Sequence, residues 1–428
     1  MTDIIEKKRD KHPLDDKELE FFVSGVTDKS IPDYQISALL MAILLNGMDR
    51  RETLTLTTLM AKSGDMLDLS DLSHTADKHS TGGVGDKTTL AVAPIAAALG
   101  CTVAKMSGRG LGFTGGTVDK LESITGYKTA LDTAEFKKIA REHGMCVTGQ
   151  SGNFAPADKR LYAIRDVTAT VNSIPLIASS IMSKKLAAGA ETIVLDVKFG
   201  SGAFMKTAED AEILAREMVE IGKEAGRKTA AVITDMDVPL GYAVGNALEV
   251  KEAVRVLKGE GEKNLTSLCI LLAAKMYQIS FDKTEEESIA AARRVTADGI
   301  AFKRLCAAVK AQGGNEKLLT GEHKFPAAAQ IELTAEKDGY ITAMNSETVG
   351  KAAVMTGAGR ERLGDSIDYS AGIILSKKYG DYVQKGERLA TLYGAPERLQ
   401  NARERLADAY SIGESKPPEK PIVYKVID

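Results

Sequence analysis

The stretch Thr192-Ile-Val-Leu-Asp-Val-Lys-Phe199 decides the fold class of this 428-residue chain. It is a short and mostly apolar run, which is typical of a strand buried on both faces. A helical pattern follows at Ala208–Gly226, and a second apolar run follows at Thr229–Thr234. This succession of strand, helix and strand predicts a parallel α/β sheet, whose ligands bind at the carboxyl ends of the strands.

The same alternation extends over the middle of the chain. Cys101–Met106 is a further candidate for a buried strand. Apolar residues at helical spacing predict four more helices, at Thr88–Leu99, Val118–Ile124, Glu135–His143 and Leu248–Lys258. We therefore expect a large α/β domain that begins near residue 71.

Two other segments predict helices without strands. In residues 14–62, Pro32 suits the first turn of one helix and Gly47 its end, and a second helix is expected at Arg50–Lys62. Asp158–Ala187 has a similar helical composition and interrupts the α/β pattern. It is therefore expected to rejoin the N-terminal helices.

The predicted fold class is α/β, with a discontinuous all-helical lobe, a larger α/β lobe with a central sheet, and a C-terminal β-rich, hammerhead-like α+β domain. The expected boundaries are 1–70 and 156–188 for the helical lobe, 71–155 and 189–330 for the α/β lobe, and 331–428 for the C-terminal domain. Several domains agree with a prior of about 150 residues per domain.

The C-terminal segment leaves two interpretations open. Biotinyl and lipoyl carrier domains show a spacing similar to that of Gly380, Val383, Gly386 and Leu389. Such carriers modify a lysine in a tight turn, and the candidate turn Ala343-Met344-Asn345 has none. A packing domain is therefore the preferred interpretation, and a carrier or interaction protein is the alternative.

Composition and charge disfavour several classes of protein. The formal net charge of −3 disfavours a nucleic-acid binder, which usually has a basic surplus. The longest apolar stretch, Ala38–Leu45, is too short to span a membrane, and the N-terminus has no signal-peptide pattern. The cysteines are scattered without a CxxC pair, which disfavours a zinc site or disulfide framework, at Cys101, Cys146, Cys269 and Cys306. A cytoplasmic protein is expected.

The first glycine loop is Lys78-His-Ser-Thr-Gly-Gly-Val-Gly-Asp-Lys-Thr-Thr89. Its glycines expose backbone N–H groups, its hydroxyls add donors, and a helix is predicted to follow, which together favour an anion. A nucleotide-binding P-loop would require GxxxxGK[ST], but Asp86 separates Gly85 from Lys87. The sequence therefore predicts a small anion rather than ATP as the ligand.

The second glycine loop is Ser107-Gly-Arg-Gly-Leu-Gly-Phe-Thr-Gly-Gly-Thr117. It follows a predicted strand, and Thr117 is a suitable N-cap for the helix after it. Arg109 is expected to brace this loop through Asp or backbone partners. Because both loops carry hydroxyls and both are expected to follow apolar strands, they predict one shared anion site.

The two loops together resemble those of the thymidine/pyrimidine-nucleoside phosphorylase family. The resemblance continues through Tyr162-Ala-Ile-Arg165, Ser179-Ser-Ile-Met-Ser-Lys184, Asp196-Val-Lys-Phe-Gly-Ser-Gly-Ala-Phe204 and Pro239-Leu-Gly241, and it covers most of the chain. It implies reversible cleavage of pyrimidine nucleosides by phosphate, which acts as co-substrate without an organic cofactor. It also implies a homodimer formed through the helical lobe, which closes with the α/β lobe over a cleft.

The resemblance also implies roles for individual residues. Phosphate is expected at Lys78, Ser80, Thr89, Lys105, Met106, Ser107 and Thr117. The base is expected at His79, Leu111, Tyr162, Arg165, Ser180 and Lys184, of which His79, Arg165 and Lys184 are the candidate catalytic residues. A structural potassium ion is expected to be held mostly by backbone oxygens, at Gly85, Lys87, Leu240, Ala243 and Glu252.

This sequence departs from the family pattern in two places. Phe113 replaces an expected histidine, and Lys87 stands where a small residue is usual, so that its ammonium would weaken the potassium site. Lys105 before Met106-Ser107 resembles the broad pyrimidine-nucleoside members of the family more than the strict thymidine enzymes, which implies that both uridine and thymidine are substrates. The alternatives are a strict thymidine phosphorylase and a related phosphoribosyltransferase, which would require an acidic magnesium–diphosphate site.

Overall fold

The computed structural model describes residues 1–110, 112–150, 153–320, 327–362 and 364–428. The helices are α1 (Thr2–Arg9), α2 (Asp16–Thr27), α3 (Asp33–Asn46), α4 (Arg50–Lys62), α5 (Thr88–Ala98), α6 (Thr117–Glu122), α7 (Thr133–His143), α8 (Pro156–Val167), α9 (Ile174–Ala187), α10 (Ala208–Glu224), α11 (Asn246–Leu257), α12 (Lys263–Phe281), α13 (Glu285–Ala297), α14 (Ile300–Ala311), α15 (Lys317–Thr320), α16 (Ser346–Ala353) and α17 (Pro396–Ala407). A π-helical turn, Val354–Ala358, continues α16.

The strands are β1 (Ala76–Ser80), β2 (Val103–Ser107), β3 (Met145–Gly149), β4 (Thr192–Phe199), β5 (Lys228–Asp235), β6 (Ala243–Val244), β7 (Ala329–Thr334), β8 (Gly339–Met344), β9 (Gly372–Leu375), β10 (Tyr382–Val383), β11 (Arg388–Gly394), β12 (Tyr410–Gly413) and β13 (Val423–Ile427). The predicted helices and apolar strands are confirmed, with ends that move by three residues or fewer.

The N-terminal lobe is all-helical, as predicted. The side chain of Asp49 caps α4 by accepting a hydrogen bond from the backbone N–H of Glu52. The side chain of Glu52 in turn accepts from the backbone N–H of Asp49. Glu52 is itself buried and lies 2.8 Å from the ammonium of Lys8 in α1. Leu161 of α8 and Leu176 of α9 lie in the same apolar core as these N-terminal helices, so the lobe is discontinuous as expected.

The central sheet has the order β1-β4-β5-β13, in which the first three strands are parallel and β13 is antiparallel. A parallel bridge between Thr75 and Thr102 places the β2-β3 pair beside β1. The domain boundaries expected from the sequence stay predictions. Strand β13, although it lies in the segment expected to form the C-terminal domain, pairs with β5 in the sheet of the α/β lobe.

Strand β1 corrects one expectation from the sequence. We expected the first glycine loop to follow an apolar strand, but it begins inside a strand that reads Ala76-Asp-Lys-His-Ser80. Asp77 and Lys78 are buried there, because each is paired with an opposite charge from another segment. A strand of buried ion pairs lacks the apolar pattern by which strands are recognised in a sequence.

Helix α9 belongs to both lobes. It packs on α4 of the helical lobe and also on α10. Its residues Ile177 and Met182 share an apolar core with Leu195 of β4. The base-binding candidates on α9 are therefore fixed to the central sheet.

The C-terminal domain contains the sheets β6-β9-β11-β7 and β10-β8-β12. Its core includes Val84 of the first glycine loop, and Phe113 of the second loop packs against it. The turn expected at Ala343-Met344-Asn345 is wrong, because Met344 ends β8 and the Asn345 side chain caps α16. The domain thus packs behind both glycine loops, in keeping with the packing interpretation.

Over the described ranges, the structure contains no helix that is both long and apolar enough to cross a membrane.

Candidate active site

Lys78 is the first residue of the first glycine loop and lies in strand β1. Its ammonium is buried, lies 3.2 Å from Asp196 on the neighbouring strand β4, and donates to the hydroxyl of Thr88 at 2.5 Å. The ammonium of Lys198 lies 2.9 Å from the same carboxylate, that of Asp196. The charge expected to hold phosphate is therefore already fixed in place by the sheet.

Asp77 joins three segments of the fold. It accepts from Lys105 of β2 at 2.9 Å and from Lys185 of α9 at 2.6 Å. Burial opposes ionisation of this carboxyl, but the two ammonium groups hold its pKa well below the usual range. Burial also lowers the pKa of Lys105 to about 8, against the attraction of Asp77.

Asp86 organises the turn of the first glycine loop. It accepts from the hydroxyls of Ser80 and Thr88, each at 2.5 Å. Burial alone would raise its pKa, but Lys78 and Lys198 lower that pKa well below its usual value. The hydroxyl proton of Ser80 is thus directed to a carboxylate, so Ser80 would have to rotate to donate to phosphate.

The buried charges behind the loops do not cancel. Four ammonium groups face three carboxylates, namely Lys78, Lys105, Lys185 and Lys198 against Asp77, Asp86 and Asp196. The surplus of one positive charge, held where the dielectric is low, favours an anion at this end of the sheet.

Ser107 provides an unused hydrogen-bonding group beside that charge. Its hydroxyl is buried at the end of β2 and has no hydrogen-bond partner among the described residues. Because burial of an unpaired hydroxyl is costly, such a group is typical of a site completed by a ligand. Met106 precedes it in the same buried strand, and Thr89 is buried in the first turn of α5.

The second glycine loop is held by close backbone packing. A Cβ atom on Gly116 would lie 2.1 Å from the backbone nitrogen of Gly110, so only glycine fits there. Arg109 donates to Glu122 at 2.6 Å and to Asp119 at 3.1 Å, which confirms its expected bracing role. The N-cap of α6 is Gly116, so the prediction that Thr117 caps it is wrong. Thr117 is the first helical residue.

The base-binding candidates of the helical lobe lie on two adjacent helices. Tyr162 and Arg165 are on α8, and Ser180 and Lys184 are on α9. Lys184 donates to Ser180 at 3.0 Å. Leu111, the remaining candidate, lies outside the described residues.

Arg165 is not an ordinary surface charge. It is 2% exposed, and its guanidinium donates to the backbone carbonyls of Thr170, Val171 and Leu176. These contacts connect the end of α8 to the start of α9. A guanidinium has five N–H donors, so three contacts do not exhaust it.

Asp158 is a further candidate site residue, which sequence reasoning missed. Its buried carboxylate accepts from the ammonium of Lys184 at 2.5 Å. Asp158, Tyr162 and Arg165 are four and three residues apart, which places them on one face of α8. That spacing is the signal that could have identified it.

His79 is half-buried in β1. Burial, together with the positive charges of Lys185, Lys105 and Lys184, lowers its pKa well below 6.5. Its imidazole is therefore neutral at neutral pH and can donate or accept one hydrogen bond. The contact between Lys185 and Asp77 at 2.6 Å shows that α9 and β1 are adjacent here.

The residues expected to hold potassium lie close together, but they surround the ammonium of Lys87 and not a metal ion. Lys87 donates from Nζ to the carbonyl oxygens of Leu240 at 2.9 Å and Ala243 at 2.7 Å, and to Glu252 at 2.5 Å. Gly85 lies alongside, its would-be Cβ 3.4 Å from that same Nζ atom. The resemblance implied backbone oxygens around an ion, whereas here the side chain of Lys87 reaches the centre.

Three family models match the chain. The α/β domain of a glycosyl transferase family matches residues 72–302, and the helical bundle domain of the same family matches residues 2–64. The pyrimidine nucleoside phosphorylase C-terminal domain matches residues 340–413. The three matches thus cover the helical lobe, the α/β lobe and the C-terminal domain.

Full-length relatives are similar over the whole chain. A pyrimidine-nucleoside phosphorylase of Staphylococcus epidermidis is 50% identical over 100% of this chain and 99% of its own length. One from Geobacillus stearothermophilus is 49% identical over the same shares, and one from Staphylococcus aureus is 52% identical over 97% of this chain and 96% of its own.

A solved structure shares the fold. The anthranilate phosphoribosyltransferase of Thermus thermophilus aligns with a TM-score of 0.60 at 21% identity, over 72% of this chain and 99% of its own. At that identity the likeness concerns the fold alone.

Proposed function

Because this chain belongs to the pyrimidine-nucleoside phosphorylase family, we propose that it cleaves uridine, thymidine and deoxyuridine alike with phosphate. The products are the free base and ribose or deoxyribose 1-phosphate. As a member of this family, the chain is a pentosyltransferase that uses phosphate as co-substrate without an organic cofactor. The breadth of substrates, the residue roles and the direct displacement described below are the proposal.

The single observation that carries the phosphate half of the proposal is the buried positive surplus beside Ser107. Phosphate would neutralise that surplus and pair the Ser107 hydroxyl. Lys78, Ser80, Thr89, Lys105, Met106, Ser107 and Thr117 are the proposed phosphate residues. Because the lysines are fixed by ion pairs before the ligand arrives, binding requires little reorganisation.

The base half of the proposal rests on the two helices of the helical lobe. As the glycosidic bond breaks, negative charge develops on the base and positive charge on the sugar. Lys184 and Arg165 would stabilise the carbonyl oxygens of the base, with Tyr162 and Ser180 beside them. The neutral His79 would donate a hydrogen bond to O2 of the base and would not deliver a proton as an imidazolium.

The reaction needs no covalent enzyme intermediate. The phosphate oxygen forms a bond to C1′ while the C1′–N1 bond breaks and its electron pair leaves with the base. Attack from the face opposite the base inverts C1′, so the β-nucleoside gives an α-pentose 1-phosphate. Positioning of the two reactants between the lobes would supply much of the rate enhancement.

The proposal extends to the cellular setting. We propose a cytoplasmic homodimer formed through the N-terminal helical lobe, acting in pyrimidine nucleoside salvage or catabolism. A strict thymidine phosphorylase is the alternative within the family. A phosphoribosyltransferase is less well supported, because its likeness to this chain concerns the fold alone.

The test is to incubate the protein with each nucleoside, with and without phosphate, and to measure free base and pentose 1-phosphate. We expect phosphate-dependent release from all three nucleosides and only the α-anomer by NMR. Lys184→Ala should lose most turnover while folding normally, and Lys223→Ala, an exposed lysine of α10, serves as its control. Activity on thymidine alone would favour the strict enzyme, and release without phosphate would refute phosphorolysis.

A further inference from the structure

The ammonium of Lys87 lies in a cradle of oxygen atoms, which we call the cation cradle and define by Leu240, Ala243 and Glu252. The lysine side chain is fully buried, and that of Glu252 is 9% exposed. Two carbonyl oxygens and one carboxylate oxygen accept its three N–H donors. The hydrogen-bonding capacity of the ammonium is thus complete.

The cradle is built around that charge. Glu252 also accepts from the backbone N–H groups of Tyr242 at 2.6 Å and Ala243 at 2.9 Å, so the turn before β6 wraps the carboxylate. Gly241 has φ of +68°, and a Cβ there would lie 2.5 Å from Glu252. The turn and α11 therefore together present two carbonyl oxygens and a carboxylate to a single cation.

These oxygen ligands suit a hard monovalent metal ion, but they do not suit one in addition to Lys87. A metal ion at the centre would lie beside a buried ammonium of the same charge. It would also have to displace the three hydrogen bonds that satisfy Nζ. The residues present therefore do not fit potassium, and the disagreement lies in Lys87.

The position of Lys87 lets the cation cradle connect the first glycine loop to other parts of the fold. Lys87 is the N-cap residue of α5 and ends the turn of the first glycine loop. Its side chain ties that loop to α11 and to the turn before β6. A second lysine, Lys378 of the C-terminal domain, donates to Gly241 in the same turn at 3.0 Å. The cradle thus joins the loop, α11 and the C-terminal domain.

We propose that the Lys87 ammonium acts as a built-in structural cation, which replaces a bound monovalent metal ion and makes the first glycine loop independent of potassium. The charge is tethered covalently, so it is present at every salt concentration. The inference concerns how the loop is anchored and does not depend on which nucleoside is cleaved.

Thermal unfolding of the full-length protein without substrate tests the proposal. The wild type should have the same Tm in potassium, sodium and tetramethylammonium chloride at equal ionic strength. Lys87→Ser empties the cradle, and we expect its Tm in tetramethylammonium to fall by about 5 °C. Potassium should restore part of that loss in proportion to its concentration, because an ion that binds only the folded state stabilises it by mass action.

Ala243 and Glu252 of the cation cradle border a surface cavity. This cavity has a volume of about 330 Å³, and Tyr242 also lines it. Adding Glu252→Gln to Lys87→Ser should abolish the potassium effect. Lys337→Ser, at an exposed position, is the matched control and should behave as the wild type in every salt.

The results that would overturn the proposal are distinct. A potassium-specific rise in the Tm of the wild type would show that the chain still binds the ion. A Lys87→Ser variant as stable as the wild type in tetramethylammonium would show that Lys87 anchors nothing. If Lys87→Ser does not fold in any of the three salts, the Tm values of the wild type in those salts decide. An equal wild-type Tm in all three supports the proposal. Absence of phosphorolysis would refute the proposed function and leave these outcomes intact.

Discussion

Asp158→Asn tests whether Asp158 positions Lys184 for its proposed contact with the base. The substitution keeps the shape of the side chain and removes its charge. In the wild type the two groups are 2.5 Å apart, with side-chain exposures of 25% for Lys184 and 6% for Asp158. Without the carboxylate, Lys184 keeps only neutral partners such as Ser180 and is free to turn towards solvent.

The expected magnitudes follow from this geometry. The burial of this pair is intermediate between two cases. An exposed ion pair contributes about 0–1 kcal/mol to stability, and breaking a buried one costs about 3–5 kcal/mol. We therefore expect a loss of about 1–2 kcal/mol in the free energy of unfolding. A displacement of the ammonium by about 1 Å can cost on the order of 10²-fold in rate, so kcat should fall by about 10–100-fold.

The assay is a double-mutant cycle on kcat for uridine phosphorolysis, with urea unfolding to separate stability from activity. Lys184→Ala alone should lose about 10²–10³-fold. Because Asp158 is expected to act through Lys184, the double variant should be no slower than Lys184→Ala. Asp166→Asn, on an exposed position of the same helix, is the control. Wild-type kcat in Asp158→Asn, or losses that multiply in the double variant, would refute the reasoning.

Three further predictions concern the loops and the helical lobe. The pKa of Lys105 is lowered to about 8, so the charge of its side chain is present below that pH and is lost as the pH rises. KM for phosphate should therefore increase once the pH exceeds about 8. In Lys105→Arg this increase should begin at a higher pH, because a guanidinium keeps its proton. Ser107→Ala should raise KM for phosphate by about 10-fold without lowering the free energy of unfolding, because the hydroxyl it removes is unpaired in the folded protein; a destabilised variant with an unchanged KM would contradict this. Lys8→Met breaks the buried pair with Glu52 and should lower the free energy of unfolding by about 3 kcal/mol in urea, whereas a loss below about 1 kcal/mol would show that the backbone donors to Glu52 suffice.

Much of the candidate site was within reach of the sequence because its residues are close together in the chain. Ser80, Asp86 and Thr88 interact within one loop, and the glycines around them indicated an anion site. Asp158 was also within reach, since it shares a helix face with Tyr162 and Arg165. It was missed because a single acidic residue on a helix resembles an ordinary surface charge.

The roles that individual lysines play were beyond the sequence. Lys87 lies within the first glycine loop, and its position in the sequence is equally compatible with a contact to a phosphate group. Its partner Glu252 is 165 residues away, on a helix that the sequence could place but could not orient. Only the folded chain shows that this ammonium enters the cation cradle.

The sequence by itself determined the layers of this protein and the helices that cover them. Apolar periodicity is written into each segment, so β4, β5 and α10 can be recognised without their neighbours. The tertiary structure alone decided that Asp77-Lys78 is a buried strand. Asp77 is stable there because Lys105, 28 residues away, and Lys185, 108 residues away, bring their charges to it. Burying a charge is costly unless an opposite charge or enough hydrogen-bond partners meet it, and for Asp77 it is strand order, not local sequence, that brings those partners together.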